Sequence, residues 1–214
     1  MIFNSSVSVA GTFNSDFSVQ EIKDEPMLFN CDLNFAKKHG GPITKAFIEA
    51  LPEDWKNCDV VIDSKSHMLM PGWYTCIPGW HHDDVPRNTA NGQPNYTNPG
   101  YASQHILGLV NPHVSATEFA IGSVDLEIID NDVYKIWNQK VESAVQSGDM
   151  TVVSAESGKL YSFDCYTFHR GVKASCNGWR FFIRVSRNTD RTKTVTNEIR
   201  NQVQVYLEFP MQGW

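Results

Sequence analysis

What most constrains this chain is how soon its apolar runs are cut. Ten Pro and fourteen Gly are scattered through 214 residues, with Asn and Ser clustered beside many of them. Such punctuation suits short strands joined by turns, and it disfavours a helical bundle. The stretch 7–19 sets Val, Phe and Thr among Ser, Asn and Gly, and predicts short strands with loose turns. Further strands are expected at 60–62, 67–70, 73–80, 105–110, 117–121, 124–129, 151–155, 160–163, 166–171, 179–187 and 203–209. Two helices stand out. Pro42 opens one over 43–51. Asp132 caps a second over 133–146, which Gly148 ends; its apolar Val133, Ile136, Trp137, Val141, Ala144 and Val145 repeat with a helical period. About ten short strands and few helices predict a mainly β sandwich or barrel with added helices.

No repeat or low-complexity linker divides the chain, so one domain over 1–214 is expected, its core at about 58–190. A chain this long buries roughly 70% of its unfolded surface and needs no disulfide to fold. The formal charge of −6 argues against a broad nucleic-acid-binding surface, which needs a basic excess. The five Cys, at 31, 58, 76, 165 and 176, form no CxxC pair, so reduced thiols in a cytoplasm are expected. No basic stretch followed by an apolar run opens the sequence and no apolar segment is long enough to span a bilayer, so neither an export signal nor a membrane partner is expected.

The densest chemical signal is Pro78-Gly-Trp-His-His-Asp-Asp-Val-Pro-Arg87. On an extended strand, residues two apart share a face. His81 and Asp83 can then converge on one point, or His82 and Asp84 can, and both frames remain open on spacing alone. A third ligand would complete a two-His-one-carboxylate site with open positions. His169, in a β-like run, is the candidate. Fifteen residues on, Arg184 and Ser186 share a strand face within an otherwise apolar run. An inward guanidinium beside a hydroxyl suits a carboxylate, and a buried charge there needs a partner. Arg180 shares that face by parity, while 187, 191 and 200 read as a solvated basic face. His105 reads as a core residue, and His39, His67 and His113 as structural or surface.

The order HxD, distal His, Arg-x-Ser resembles the Fe(II)- and 2-oxoglutarate-dependent dioxygenases over roughly residues 70–190. The resemblance implies a double-stranded β-helix, the cupin-like jelly roll, with an N-terminal extension and one or two flanking helices. It implies Fe(II) held by His81, Asp83 and His169, and 2-oxoglutarate held at its far carboxylate by Arg184 and Ser186. The Trp-His-x-Asp pattern of several branches favours the His81 frame over His82 and Asp84. It also implies hydroxylation of a C–H bond in a small-molecule substrate by dioxygen, with release of succinate and carbon dioxide. Substrate contacts are expected from the 85–103 loop and Arg87, and from Arg180 at the rim. Two other classes fit the same residues: a cupin-like metal protein acting as an isomerase or hydrolase, which has no need of Arg184, and a non-catalytic jelly-roll binding or structural module.

Overall fold

The computed structural model describes residues 1–90, 92–128 and 133–207, the side chains of 133 and 134 excepted. Its organising element is strand β10 (Gly178–Arg187), whose alternation separates two environments. Phe181, Ile183 and Val185 are fully buried with Ile62, Ile106 and Leu160 against the N-terminal helices. Arg180, Phe182 and Arg184 point the other way, into a cavity. β10 lies between β4 (Val60–Leu69) and β5 (Gln104–Val110) in a five-stranded antiparallel sheet. Its order is β2 (Ser8–Thr12), β8 (Lys159–Asp164), β5, β10, β4.

Four short helices cover the outer face of this sheet: α1 (Val19–Asp24), α2 (Leu33–His39), α3 (Pro42–Ala50) and α4 (Glu53–Lys56). Three of them begin on local signals. Ser18 and Glu21 form a capping box at α1, and the Asp32 side chain caps α2. At α3, Pro42 removes one orphan donor, and the buried Glu25 carboxylate accepts from the Ile43 and Thr44 amides at 3.1 and 2.9 Å. Ile43 and Phe47 of α3 then bury completely in the core.

The second sheet is built on β6 (Thr117–Asp125). It pairs antiparallel with β1 (Ile2–Ser5) through 122–125, with β7 (Met150–Ser154) through 118–122, and with β9 (His169–Gly171) through 117–119. Phe119 of β6 joins the two sheets, with its ring 5.8 Å from Tyr161 and 5.1 Å from Phe163. Beyond the second sheet, helix α5 (Val133–Ser147) packs Trp137 and Val141 against Phe3, Ala120 and Phe168. A small pair, β3 (Met27–Phe29) with β11 (Glu198–Arg200), closes one side of the cavity. The architecture is therefore mainly β and antiparallel, consistent with a β-sandwich. No helix among the described residues is long and apolar enough to cross a membrane.

Several elements differ from the sequence expectation. β4 is one continuous strand where 60–62 and 67–70 read as two, because Asp63 and Ser64 are buried and satisfied in place of breaking it. β6 likewise runs unbroken through Gly122. Residues 73–80 form mostly bends, since Gly72 just before them and Gly79 among them take φ of +89° and +104°. Residues 166–168 lie outside any strand before β9 begins. Within 203–207 the described backbone makes only the isolated Tyr74–Tyr206 bridge, and 208–209 lie outside the described residues, as does the Asp132 cap. α1, α2 and α4 were hidden by shortness, each having at most seven residues and so no full apolar period.

Gly108 of β5 marks the tightest seam between sheet and helices. A Cβ there would sit 2.8 Å from the Phe47 ring and 2.9 Å from the Phe13 ring, both buried. Gly108→Ala is expected to cost about 1–3 kcal/mol by overpacking. A urea midpoint unchanged from the wild type would contradict this packing.

Candidate metal centre

Two backbone hydrogen bonds bring the HxD segment to the distal histidine. His81 N–H donates to His169 C=O at 3.0 Å, and His169 N–H donates back to His81 C=O at 3.1 Å. This bridge extends the second sheet by one residue, on the strand β9 that β6 already holds. The imidazoles consequently lie 4.6 Å apart at their centroids. Each ring is oriented by its own backbone: His81 Nδ1 meets Gly79 C=O at 2.9 Å, and His169 Nδ1 meets Thr167 C=O at 2.9 Å. A carbonyl only accepts, so both Nδ1 atoms carry the proton and both Nε2 atoms offer a lone pair.

Asp83 completes the group. Its Oδ2 is 3.3 Å from His169 Nε2, and one ligand atom from each of His81, Asp83 and His169 lies within 4.8 Å of the others. Among the described residues no other His, Cys, Asp or Glu group meets that condition, and this one could hold a metal ion. Two neutral imidazoles and one carboxylate, with Nδ1–H groups tied to carbonyls, are a donor set fitted to a divalent transition metal. Desolvation pushes the Asp83 carboxyl up, but the Arg184 guanidinium holds it well below the usual range. Burial lowers His81. Both shifts favour the metal-binding protonation states.

Helix α5 holds the segments carrying the candidate ligands. Asn138 Oδ1 accepts from the Trp80 amide at 2.7 Å, and Glu142 Oε2 accepts from Trp80 Nε1 at 2.8 Å. The same Glu142 oxygen accepts from Arg170 Nη1 at 2.8 Å, and the Arg170 guanidinium lies 4.1 Å over the Trp80 ring. One carboxylate thus ties the residue before His81 to the residue after His169. Neither Asn138 nor Glu142 was legible as a site residue, because they sit 58 and 62 residues from Trp80 on an ordinary helix.

The other predicted residues fall in different places. His82 points away from the centre into an aromatic cluster, 4.0 Å from the Phe168 ring and 3.3 Å from the Tyr96 hydroxyl. Asp84, at φ +53°, turns toward Arg191 at 3.3 Å. So His81 and Asp83 meet through the bridge and a bend, not through an extended strand. Arg184 donates Nη1 to Asp83 Oδ2 and has Asp63 and Asp84 at 3.8 and 3.9 Å. Burial opposes its charge, but these three carboxylates hold it firmly protonated. Ser186 is fully buried against His105 Nδ1 at 2.8 Å and does not line the cavity.

The cavity beside the triad has a volume of about 460 Å³. Arg180 lines it. Arg87 does not, and no described residue of the 85–103 loop does; that loop packs Tyr96 onto the His82 side. The walls also include residues to which the sequence gives no site role, among them Phe29, His67, Gln204 and Tyr206. Arg191, expected to be solvated, reaches Asp63 at 2.8 Å and lines the cavity too.

No family model matches the chain, and no curated protein matches it. Among solved structures it is similar to EvdMO1, at 12% identity over 86% of this chain and 47% of that one, with a TM-score of 0.43. It is also similar to AviO1 from Streptomyces viridochromogenes Tue57, at 13% identity over 86% of this chain and 89% of that one, with a TM-score of 0.43. The chain spans about half the length of the EvdMO1 chain. Likeness at this level carries no argument about chemistry, and the centre rests on its own geometry.

Two outcomes follow from this geometry. Glu142→Ala should leave the fold intact by circular dichroism yet lower Co(II) affinity about 10–100-fold, the usual effect of removing support behind metal ligands. Buried neutral histidines also set an acid limit. Burial and then the Arg180 charge push His67 down to about 3, and burial and then the Arg184 charge push His105 well below its ordinary value. The unfolded chain protonates them from about pH 6.5 downward, before the native state does. Their contribution is full above that pH and is lost as pH falls, at up to about 1.4 kcal/mol per unit for each group. Urea midpoints of the metal-free protein from pH 7.5 to 4.5 should decline, and less steeply in His67→Gln.

Proposed function

We propose that this protein is an Fe(II)-dependent oxygenase that uses 2-oxoglutarate as co-substrate and hydroxylates a C–H bond of a small molecule. The observation that carries the reading is the triad itself: His81, Asp83 and His169 gathered in the expected order, with both Nε2 atoms free to ligate, at the wall of a cavity between two antiparallel sheets. Facing sheets around a ligand site also support assignment of the sandwich to the double-stranded β-helix, or jelly-roll, class.

Three protein ligands leave positions open on an octahedral ion. Iron(II), when bound, supplies dioxygen activation, with the 2-oxo acid as electron donor. The overall reaction converts 2-oxoglutarate, dioxygen and R–H into succinate, carbon dioxide and R–OH. The chain's own contribution is positional. His81 and His169 are held in one tautomer by Gly79 and Thr167 carbonyls. Asp83 supplies the anionic ligand, and a carboxylate at that position favours hydroxylation over halogenation. Leu107, Phe163 and Phe182 give the cavity an apolar wall that limits water beside the centre.

The test is anaerobic reconstitution. Fe(II) plus 2-oxoglutarate should produce a weak visible charge-transfer band, and admitting air should release succinate. Asp83→Ala and His169→Ala should lose both signals. Metal binding that does not respond to 2-oxoglutarate would point to a non-oxygenase metal protein, and no metal binding would point to a binding module.

A further inference from the structure

Most of the cations around the cavity are already committed. Arg170 meets Glu118 and Glu142, Arg184 meets Asp83, and Arg191 meets Asp63. Arg180 is buried and donates to Thr117 Oγ1 at 2.7 Å. Lys65 and Arg200 stand apart, because both line the cavity and are exposed. They mark where it opens to solvent.

The strands bring these two side chains to one edge. Lys65 lies on β4 opposite Phe182, so it shares the cavity face with Asp63 and His67. β3 runs beside β4, with the Leu28 amide donating to Ser64 Oγ at 2.9 Å. β11 pairs with β3, and Arg200 is the register partner of Met27. Two strand spacings, about 10 Å, therefore separate the backbones of Lys65 and Arg200. Two long side chains can close that gap on one small ion. Lys65 pairs with no carboxylate among the described residues. The Arg200 guanidinium lies 3.3 Å over the Phe29 ring, which fixes its plane. Glu198 accepts from its Nε and Nη2 at 3.4 and 3.2 Å, which leaves Nη1 to donate. That ion pair joins two nearly half-exposed side chains, so it is weak and open to exchange.

We propose that Lys65 and Arg200 form a receptor, at the mouth of the cavity, for an oxyanion carried by a small molecule: a phosphate, a sulfate or a carboxylate. An ammonium and a guanidinium reaching from two strands match the spread oxygens of such a group. The charge pattern favours an anion there. The lining cations Lys65, Arg170, Arg180, Arg184, Arg191 and Arg200 face only Asp63 and Asp83 among the lining carboxylates, in a chain whose formal charge is −6. A positive field at the opening of a cleft draws anions in. Taken with the metal-dependent reading, the receptor names the substrate class. It is an anionic small molecule whose charged group stays at the mouth while its C–H bond reaches the centre. Only that assignment rests on the reading; the receptor itself does not.

The experiment uses the full chain at constant ionic strength and follows backbone amide resonances as inorganic phosphate, sulfate and acetate are added in turn. At least one ion should give saturable shifts at 27–29, 65 and 198–200. Lys65→Gln and Arg200→Gln should each weaken that binding about tenfold by removing a charge-assisted hydrogen bond. Both positions are exposed, so the fold tolerates these changes. Glu198→Gln should tighten binding about threefold, since the competing carboxylate is gone. No saturable shift with any of the three ions would overturn the proposal. So would unchanged affinity in Lys65→Gln or Arg200→Gln, or shifts confined to Arg180 and Thr117. The ion bound most tightly identifies the group. With Fe(II) and 2-oxoglutarate supplied, compounds bearing that group should release succinate, with KM raised about tenfold in Lys65→Gln. Turnover of uncharged compounds alone would overturn the substrate assignment. Failure of the iron reading shows separately, as a missing charge-transfer band in a protein that still binds the ion.

Discussion

The site depends on one pair of backbone hydrogen bonds, those exchanged between His81 and His169. They join the bent segment 73–84, which has no strand of its own, to β9, a strand of three residues. Neither piece would hold a position alone. β9 is fixed by β6, and His81 is fixed by β9, so the candidate ligand pair inherits the rigidity of the second sheet. The side chains then need only local carbonyls to orient them.

Around this bridge the protein separates two tasks by strand parity. The outer face of the five-stranded sheet buries Phe181, Ile183 and Val185 under the short helices and supplies core stability. The inner face of the same strand carries Arg180 and Arg184, both expensive to bury, into the cavity. The apolar payload of one face sustains the polar chemistry of the other.

Much of the architecture was legible because strands announce themselves by short apolar runs and turn residues. β5, β7, β8 and β10 fall close to where those runs lie. His81, Asp83 and His169 were legible by residue type and order. Extended-strand alternation predicts their convergence, whereas the geometry uses the His81–His169 bridge followed by a bend at 83–84. What stayed hidden depends on long-range partners. Arg191 looks like any solvated arginine until the 3-10 turn Asp190–Lys193 brings it to Asp63, 128 residues away in sequence. Glu142 looks like any helix-surface acid until Trp80 and Arg170 meet it. Arg180 could be placed on a face by parity, but that no carboxylate among the described residues pairs with it is a property of the assembled cavity.

Arg184 has a consequence for the life of the protein. Clustered carboxylates such as Asp63, Asp83 and Asp84 repel one another, and a pocket built from them alone would resist closing until a cation arrived. Here the chain carries that cation within its own covalent structure. A newly made molecule can reach its final shape before meeting an ion. Its folding then rests on the sheets and on this internal cation, with no ion required to bring the carboxylates together.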